Sequence, residues 1–307
     1  MGGPKIKKNV QVDASLDKPI DKDAPPTIFT TALTPEYATA ALNLSVDFLK
    51  QQQGECNKYL ISHPVVLSSI VLILTIYMTP KFTYPSNEDI SSVSSFLYHL
   101  FLLNKRNVFS ALIITLICTS FLFTGLSRIS DSFFKSKIDR ILQSNGELVF
   151  NTDLKALQSD TQEKNRKKKN TSEKDTLENT HIVVYRNTPI SLISISKNLS
   201  LDNVININSI GARKVYLKSG ILEDLLDWSM IRSRTLCSAS KKKSDTPLKV
   251  IVEVYSFDDK LKKTLKKRGF SFISSTKIVE NRLLGGLFGV KKELWGVQFH
   301  FASKDKN

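Results

Sequence analysis

Two stretches of the chain are apolar on every side. Residues 60–79, LISHPVVLSSIVLILTIYMT, and 107–126, NVFSALIITLICTSFLFTGL, contain no Asp, Glu, Lys or Arg. Each has the ~20 residues that cross a bilayer at ~1.5 Å rise per residue. A core helix of this length in a chain of this size keeps one side in water and would show a polar face, and neither stretch has one. The pattern predicts a two-span hairpin over 59–127, with Tyr59 and Tyr77 near the ends of the first span. The run FLYHLFLL between the spans is too short to cross, so it is expected to lie in the interface or pack on the hairpin.

On either side of the spans the pattern becomes amphipathic. In TALTPEYATAALNLSVDFLKQQQ, Thr34 suits an N-cap and Pro35 the first helical position. Ala38, Ala41, Leu42, Ser45, Phe48 and Leu49 then share one face. This helix, within 27–58, is either a core helix or one lying on the membrane and leading into the first span. After the second span, SRISDSFFKSKIDRILQSNG continues as a helix and stops at Asn145-Gly146. ELVF reads as a short strand, so residues 128–157 join the hairpin to the C-terminal half.

That half alternates with the period of strands. HIVVYR, ISLISISK and NVININSIG are rich in β-branched residues, and RKVYL prolongs the third strand. A helix over 221–236 places Leu222, Leu225, Leu226 and Met230 on one side. LKVIVEVYSF is a buried strand, DDKLKKTLKKRG a helix opened by acids and closed by Gly269, and FSFISSTKIVE and ELWGVQFHF the last strands. The order β-β-β-α-β-α-β-β predicts a mixed α/β domain over 181–303. The expected fold class is therefore an α+β membrane protein, a helical hairpin plus this domain. A charged linker occupies 158–180, and the polar residues 1–26 are expected to be disordered.

Charge refines the picture. The net charge is +15, which suits acidic partners or an anionic membrane surface. No aromatic residues interleave with the basic runs, so nucleic acid is not the expected partner and membrane lipid is. The loop between the spans holds Lys81, Lys105 and Arg106, whereas Lys50, Lys58, Arg128, Lys135, Lys137 and Arg140 flank the other ends. This bias places both termini in the cytosol. The glycosylation patterns at Asn43, Asn170 and Asn198 would then never meet the modifying enzyme. Cys56, Cys118 and Cys237 are far apart, as are the four histidines, so neither disulfides nor a metal site are expected. The N-terminus lacks the apolar core of a signal peptide, and Lys304 is followed by Asp305, which breaks a dilysine retrieval signal.

The element order, and KKTLKKRGF at 262–270, resemble the GCN5-related N-acetyltransferases. That resemblance implies a loop [QR]-x-x-G-x-[GA] whose backbone amides hold the acetyl-CoA pyrophosphate at a helix N-terminus. Here it falls on Leu217, Gly220 and Leu222. Gly220 matches; Leu217 replaces the polar residue and Leu222 the small one, with Glu223 and Asp224 adding negative charge. Leu265 stands where the family often has a tyrosine general acid. The loop is expected to be a turn, with no cofactor and no catalytic residue; the alternative that the resemblance implies is a membrane-anchored N-acetyltransferase using acetyl-CoA.

A longer resemblance is carried by TALTPEYATAALNLSVDFLKQ (31–51), HPVV (63–66), PKFTYP (80–85), HLFLLNKRNV (99–108), LSRISDSFFKSKI (126–138), SNGELVFNTDLKAL (144–157) and SGILEDLLDWSMIRSRTL (219–236). These stretches resemble the fungal endoplasmic-reticulum packaging chaperones of the high-affinity inorganic phosphate transporter. The resemblance implies a multispanning membrane client, a role in its exit from the endoplasmic reticulum, and an indirect effect on phosphate uptake. Two contact surfaces are then expected. In the membrane, Ser68, Ser69, Thr75, Thr115 and Thr119 are small enough for close helix approach, either to a client or between the two spans. In the domain, Glu223, Asp224, Asp227, Trp228, Arg232 and Arg234 line one helix, which they also suit on purely structural grounds.

Overall fold

The computed structural model describes residues 27–84, 92–159, 176–201, 203–239 and 247–299. The expected disordered tail, most of the charged linker and the C-terminal KDKN lie outside the described residues. Seven strands form one sheet: β1 (Ile28–Ala32), β2 (Thr180–Tyr185), β3 (Thr188–Lys197), β4 (Val204–Ala212), β5 (Leu248–Tyr255), β6 (Ser271–Lys277) and β7 (Lys291–Phe299), in the order β1-β2-β3-β4-β5-β7-β6. Among the described residues it is accompanied by the helices α1 (Ala38–Ile61), α2 (Pro64–Met78), α3 (Val93–Gln143), α4 (Glu147–Phe150), α5 (Leu154–Ser159), α6 (Ile221–Ala239) and α7 (Asp259–Lys267).

Neighbouring strands are antiparallel except β4 and β5, which pair in parallel over residues 204–207 and 249–252. Alternation along each strand feeds two cores. Val183, Ile193, Ile195, Ile205, Val250 and Val252 face α6 and α7 through Leu225, Leu226 and Leu265. Ile182, Val184 and Leu192 face α1, α4 and α5 through Leu44, Phe48, Phe150 and Leu154.

Four expectations need correction. IFTTA is a strand, β1, which pairs with β2 from Ile28↔Tyr185 to Ala32↔His181. Thr34 takes extended backbone, but its hydroxyl is buried without a hydrogen bond, and Pro35–Tyr37 forms a 3₁₀ turn before α1 begins. ELVF is a helical turn: Gly146 (φ 84°) and Asn151 (φ 54°) bracket it in left-handed backbone that ends any extended run. Its Val149 carbonyl accepts hydrogen bonds from Ser194 Oγ (2.8 Å) and Asn208 Nδ2 (3.0 Å), which fastens the turn to the sheet. Finally, Lys214–Tyr216 is a 3₁₀ turn, so RKVYL does not prolong β4.

The alternative left open for α1 is resolved as core: Ala38, Ala41, Leu44 and Phe48 pack on the sheet. The FLYHLFLL run is not a separate element; it is continuous with the second apolar stretch in the 51-residue α3. That helix runs on unbroken until Asn145 and Gly146 turn the chain.

Candidate functional site: the hairpin and its root

Two helical segments, Pro64–Lys81 and Val93–Gln143, are long and apolar enough to cross a membrane. On α2 the more enclosed positions are Val66, Ser69, Ile70, Ile73 and Tyr77. On α3 they are Asn104, Ala111, Thr115, Cys118, Thr119, Leu122 and Leu126. Spacings of three and four put each set on one stripe, and the two stripes face each other. Ser69, Thr115 and Thr119 therefore sit between the helices, while Ser68 and Thr75 are exposed on the outer face. Ser68, Ser69, Thr75 and Thr119 hydrogen-bond carbonyls of their own helices, to Val65, Val66, Val71 and Leu116. Their polarity is thus satisfied locally, leaving small, low-cost surfaces.

The far end of the hairpin is closed by amides. Asn104 Oδ1 accepts from Thr83 N (2.9 Å), and Asn104 Nδ2 donates to Thr83 O (2.7 Å) and Leu100 O (3.0 Å). Asn107 Nδ2 donates to Lys81 O (2.7 Å). From Asn104 to Leu126 an ideal helix rises ~33 Å, close to the ~30 Å of a hydrocarbon core.

At the near end the hairpin and the α/β domain share a core. Cys56 and Leu60 of α1, Val66 of α2, and Leu126, Phe133 and Phe134 of α3 pack with Tyr255, Phe257, Ile278, Leu284, Phe288 and Val290. Phe134 meets Phe133 and Tyr255 edge-on at 5.1 and 5.8 Å. Tyr59 Oη donates to Phe288 O (2.9 Å). Lys137 lies against this core, over the rings of Phe133 (4.6 Å) and Tyr255 (4.9 Å), and donates to the Tyr255 hydroxyl. Burial, then the nearby Lys292, pushes its ammonium down to about 8, against the pull of Glu280 and Glu253. Burial, with Glu280 and Glu253, raises the Tyr255 phenol. Beyond residues 207 and 252 the parallel strands part, and a cleft of about 280 Å³ opens there, lined among others by Asn208, Glu253, Lys137, Arg140 and Lys292.

The helix of the second expected surface, α6, uses most of its charges internally. Asp227 pairs with Arg268 (3.2 Å), Arg232 with Glu178 (3.2 Å) and with Asn179 Oδ1 (3.2 Å). Trp228 stacks on His181 at 4.6 Å, and Arg234 lies over Phe299 at 4.5 Å. Glu223 and Asp224 stand in the first turn, their backbone N–H groups donating to Gly220 O. Gly220 itself has φ 84° with open space around it, the geometry of a turn that a side chain would strain. Leu222 is buried in the main core with Leu217 packed beside it, and Leu265 is fully buried. The positions that would carry acetyl-CoA chemistry thus hold core leucines, and these residues do not fit that cofactor. Among the described residues no cluster of His, Cys, Asp or Glu could hold a metal.

The family model for the inorganic phosphate transporter chaperone Pho86 matches residues 10–299. The chain belongs to this chaperone family. No curated protein sequence matches it. Among solved structures it is similar to a protein described as a streptothricin acetyltransferase from Bacillus anthracis, with acetyl coenzyme A (19% identity, 40% of this chain and 62% of that one, TM-score 0.32). It is also similar to the ribosomal-protein-S18-alanine N-acetyltransferase from Escherichia coli (10% identity, 45% and 80%, TM-score 0.32). A further likeness is to an acetyltransferase of the GNAT family from Streptococcus pneumoniae (10% identity, 89% and 99%, TM-score 0.36). Overlap at this level supports no conclusion about activity.

For a transporter chaperone, the residues missed in the sequence are those that shape the hairpin. Asn104 and Asn107 are polar positions at the edge of an apolar run, but their partners at residues 81–83 lie more than twenty residues earlier in the chain. Phe133 and Phe134 stood in a helix of mixed polarity that gave no sign of a shared core.

Proposed function

We propose that this chain is a two-pass protein of the endoplasmic-reticulum membrane, with both termini cytosolic, that holds a multispanning phosphate transporter through its hairpin and supports the client's folding or packaging for exit. Phosphate uptake would depend on it only indirectly. The observation that carries the reading is the hairpin's outer surface. Leu67, Val71, Leu72, Ile76, Leu112, Ile113, Leu116 and Phe121 are all exposed there. At ~1.5–3 kcal/mol per such side chain, exposure to water would forfeit roughly 12–24 kcal/mol, as much as the whole net stability of a typical domain, ~5–15 kcal/mol. This surface belongs against lipid or another apolar helix. Family membership supports the identity of the client. The excess of Lys and Arg at the root over the far end supports the orientation.

Ser68 and Thr75 are seven residues apart on the outward face of α2 and are the proposed approach points for a client span. Coexpressed transporter should copurify with the wild-type chain in mild detergent, and Ser68→Ile/Thr75→Ile should lower the yield several-fold without changing expression of either protein. Equal recovery with the variant removes the proposed contact; no recovery with wild type, both proteins being folded in one membrane, removes the chaperone reading. Acetyl-CoA at millimolar concentration should leave the melting temperature of the full chain unchanged, since a ligand bound only by the native state must raise it.

A further inference from the structure

Away from the hairpin, exposed apolar side chains gather in the β6–β7 connection. Val279, Leu283 and Leu287 are 86%, 48% and 53% exposed. The connection is not a loose loop. It is built on one π-helical turn, Leu283–Leu287, with Leu284 and Phe288 buried in the root core. Phe288 N donates to Leu283 O (3.1 Å) and Val290 N to Leu284 O (2.9 Å). Gly285 is packed so closely that a Cβ would stand 2.1 Å from the Ile278 carbonyl oxygen. One side is therefore locked, and the three apolar side chains are held outward.

Its position is specific. The Phe288 ring meets His63 edge-on at 5.3 Å, and His63 is the N-cap of α2. The connection thus flanks the point where the first apolar helix leaves the domain. Its rim is basic: Lys277, Arg282 and Lys291 are exposed. The nearby carboxylate, Glu280, is already paired with Lys292 (3.2 Å) and Lys137 (3.8 Å).

We propose that this connection is a third membrane anchor, Val279, Leu283 and Leu287 entering the headgroup boundary of the leaflet beside the hairpin root while Arg282 and its neighbours meet anionic phospholipid. Lipid is favoured because the connection packs against the starting turn of α2 through Phe288 and His63 and carries the basic rim that an anionic leaflet attracts. The anchor rests on the membrane reading of the hairpin. It fixes the tilt of the α/β domain, since a third contact outside the two helices resists rotation about them.

The test uses the full chain in vesicles of zwitterionic and anionic phospholipid. Single cysteines replace Leu283, Leu287, Leu116 or Leu199 in a Cys118→Ser/Cys237→Ser background; Cys56 is fully buried and its thiol pushed up to about 11, so it does not compete. Leu199 is the water control: Asn198 N donates to Val204 O, and Lys249 N to Asn203 O, which places it near the start of β5, about 20 Å along the strand from Tyr255 at the root. Nitroxides are read by collision with oxygen, which concentrates in hydrocarbon, and with a water-soluble nickel chelate. The oxygen-to-nickel ratio at 283 and 287 should exceed that at 199 several-fold. If 283 and 287 behave like 199 while 116 is shielded from nickel, the anchor is refuted and the hairpin stands. Shielding of 283 and 287 from both probes marks a protein contact and also refutes the anchor. If 116 is open to nickel, the membrane reading itself fails. A diazirine side chain at 283, with the native cysteines kept, should crosslink to phospholipid; a lipid adduct at 116 with none at 283 refutes the anchor independently.

Discussion

Lys137 offers a direct test of how tightly the hairpin root is packed. Its side chain is 21% exposed, its ammonium lies over two rings, and its proton affinity falls from 10.5 to about 8. At ~1.4 kcal/mol per tenfold, that difference is roughly 3 kcal/mol, and about 2–3 after allowance for the exposed part. Between about 8 and 10.5 the unfolded chain holds a proton that the native chain does not, so stability rises with pH across this window and is flat below it. Lys137→Met has no such slope. It gives up the bond to Tyr255, which costs ~0.5–1.5 kcal/mol. The variant should therefore be more stable than wild type by about 1–2 kcal/mol at pH 7.5 and less stable by about 1 kcal/mol near pH 10.5. At ~2–4 °C per kcal/mol for a chain of this size, the two melting curves should cross within this range. Thermal unfolding of the full chain in mild detergent, in steps of pH, measures it; groups common to both proteins cancel in the difference. Melting temperatures that run parallel from pH 7.5 to 10.5 would mean that the lysine stays charged and hydrated, and that water reaches the root beside Phe133 and Tyr255.

Three further outcomes rest on single contacts. Gly211→Ala places a methyl about 2.5 Å from the Phe48 ring; it should cost ~1–3 kcal/mol by overpacking, and Phe48→Leu in the same chain should recover part of the loss in thermal unfolding. Asn104→Ala removes both bonds that hold Thr83 and should cost ~1–2 kcal/mol, the net worth of two hydrogen bonds to an exposed turn end, seen as a lower melting temperature in detergent. A fragment starting at residue 178 lacks β1 and α1, which cover Ile182, Val184 and Leu192; it should aggregate or bind a hydrophobic dye, whereas adding residues 27–61 in trans should restore dispersed strand signals in circular dichroism and size-exclusion profiles.

That last outcome depends on what the sequence could and could not disclose. Local patterns disclosed what local physics decides: β-branched runs became β2 to β5, the Gly269 stop closed α7, and the two uncharged stretches became the hairpin. Leu222, Leu225 and Leu226, placed on one side of a helix by their spacing, are buried in the main core. What local patterns could not disclose is pairing across long separations. IFTTA has five residues and no strong alternation, and becomes a strand only because β2 lies beside it, with Ile28 opposite Tyr185. Closing a loop of that length costs entropy that grows as (3/2)RT ln n. Here the hairpin lowers the cost. Once α2 and α3 pair, α1 and the last turns of α3 are already side by side, joined by contacts such as Cys56 and Phe134 in one core. The chain that β1 must close on β2 is then α1 together with the stretch from the end of α3 to residue 180, rather than the whole of residues 33–179. Three charges of α6, at Asp227, Arg232 and Arg234, also meet Arg268, Glu178 and Phe299, partners from distant parts of the chain that no local pattern announces. Val66 of α2 shares the root core with Phe134 and Tyr255, so the client contact proposed on α2 would act on that core, and a loosened root should then weaken client recovery even where no proposed contact residue is changed.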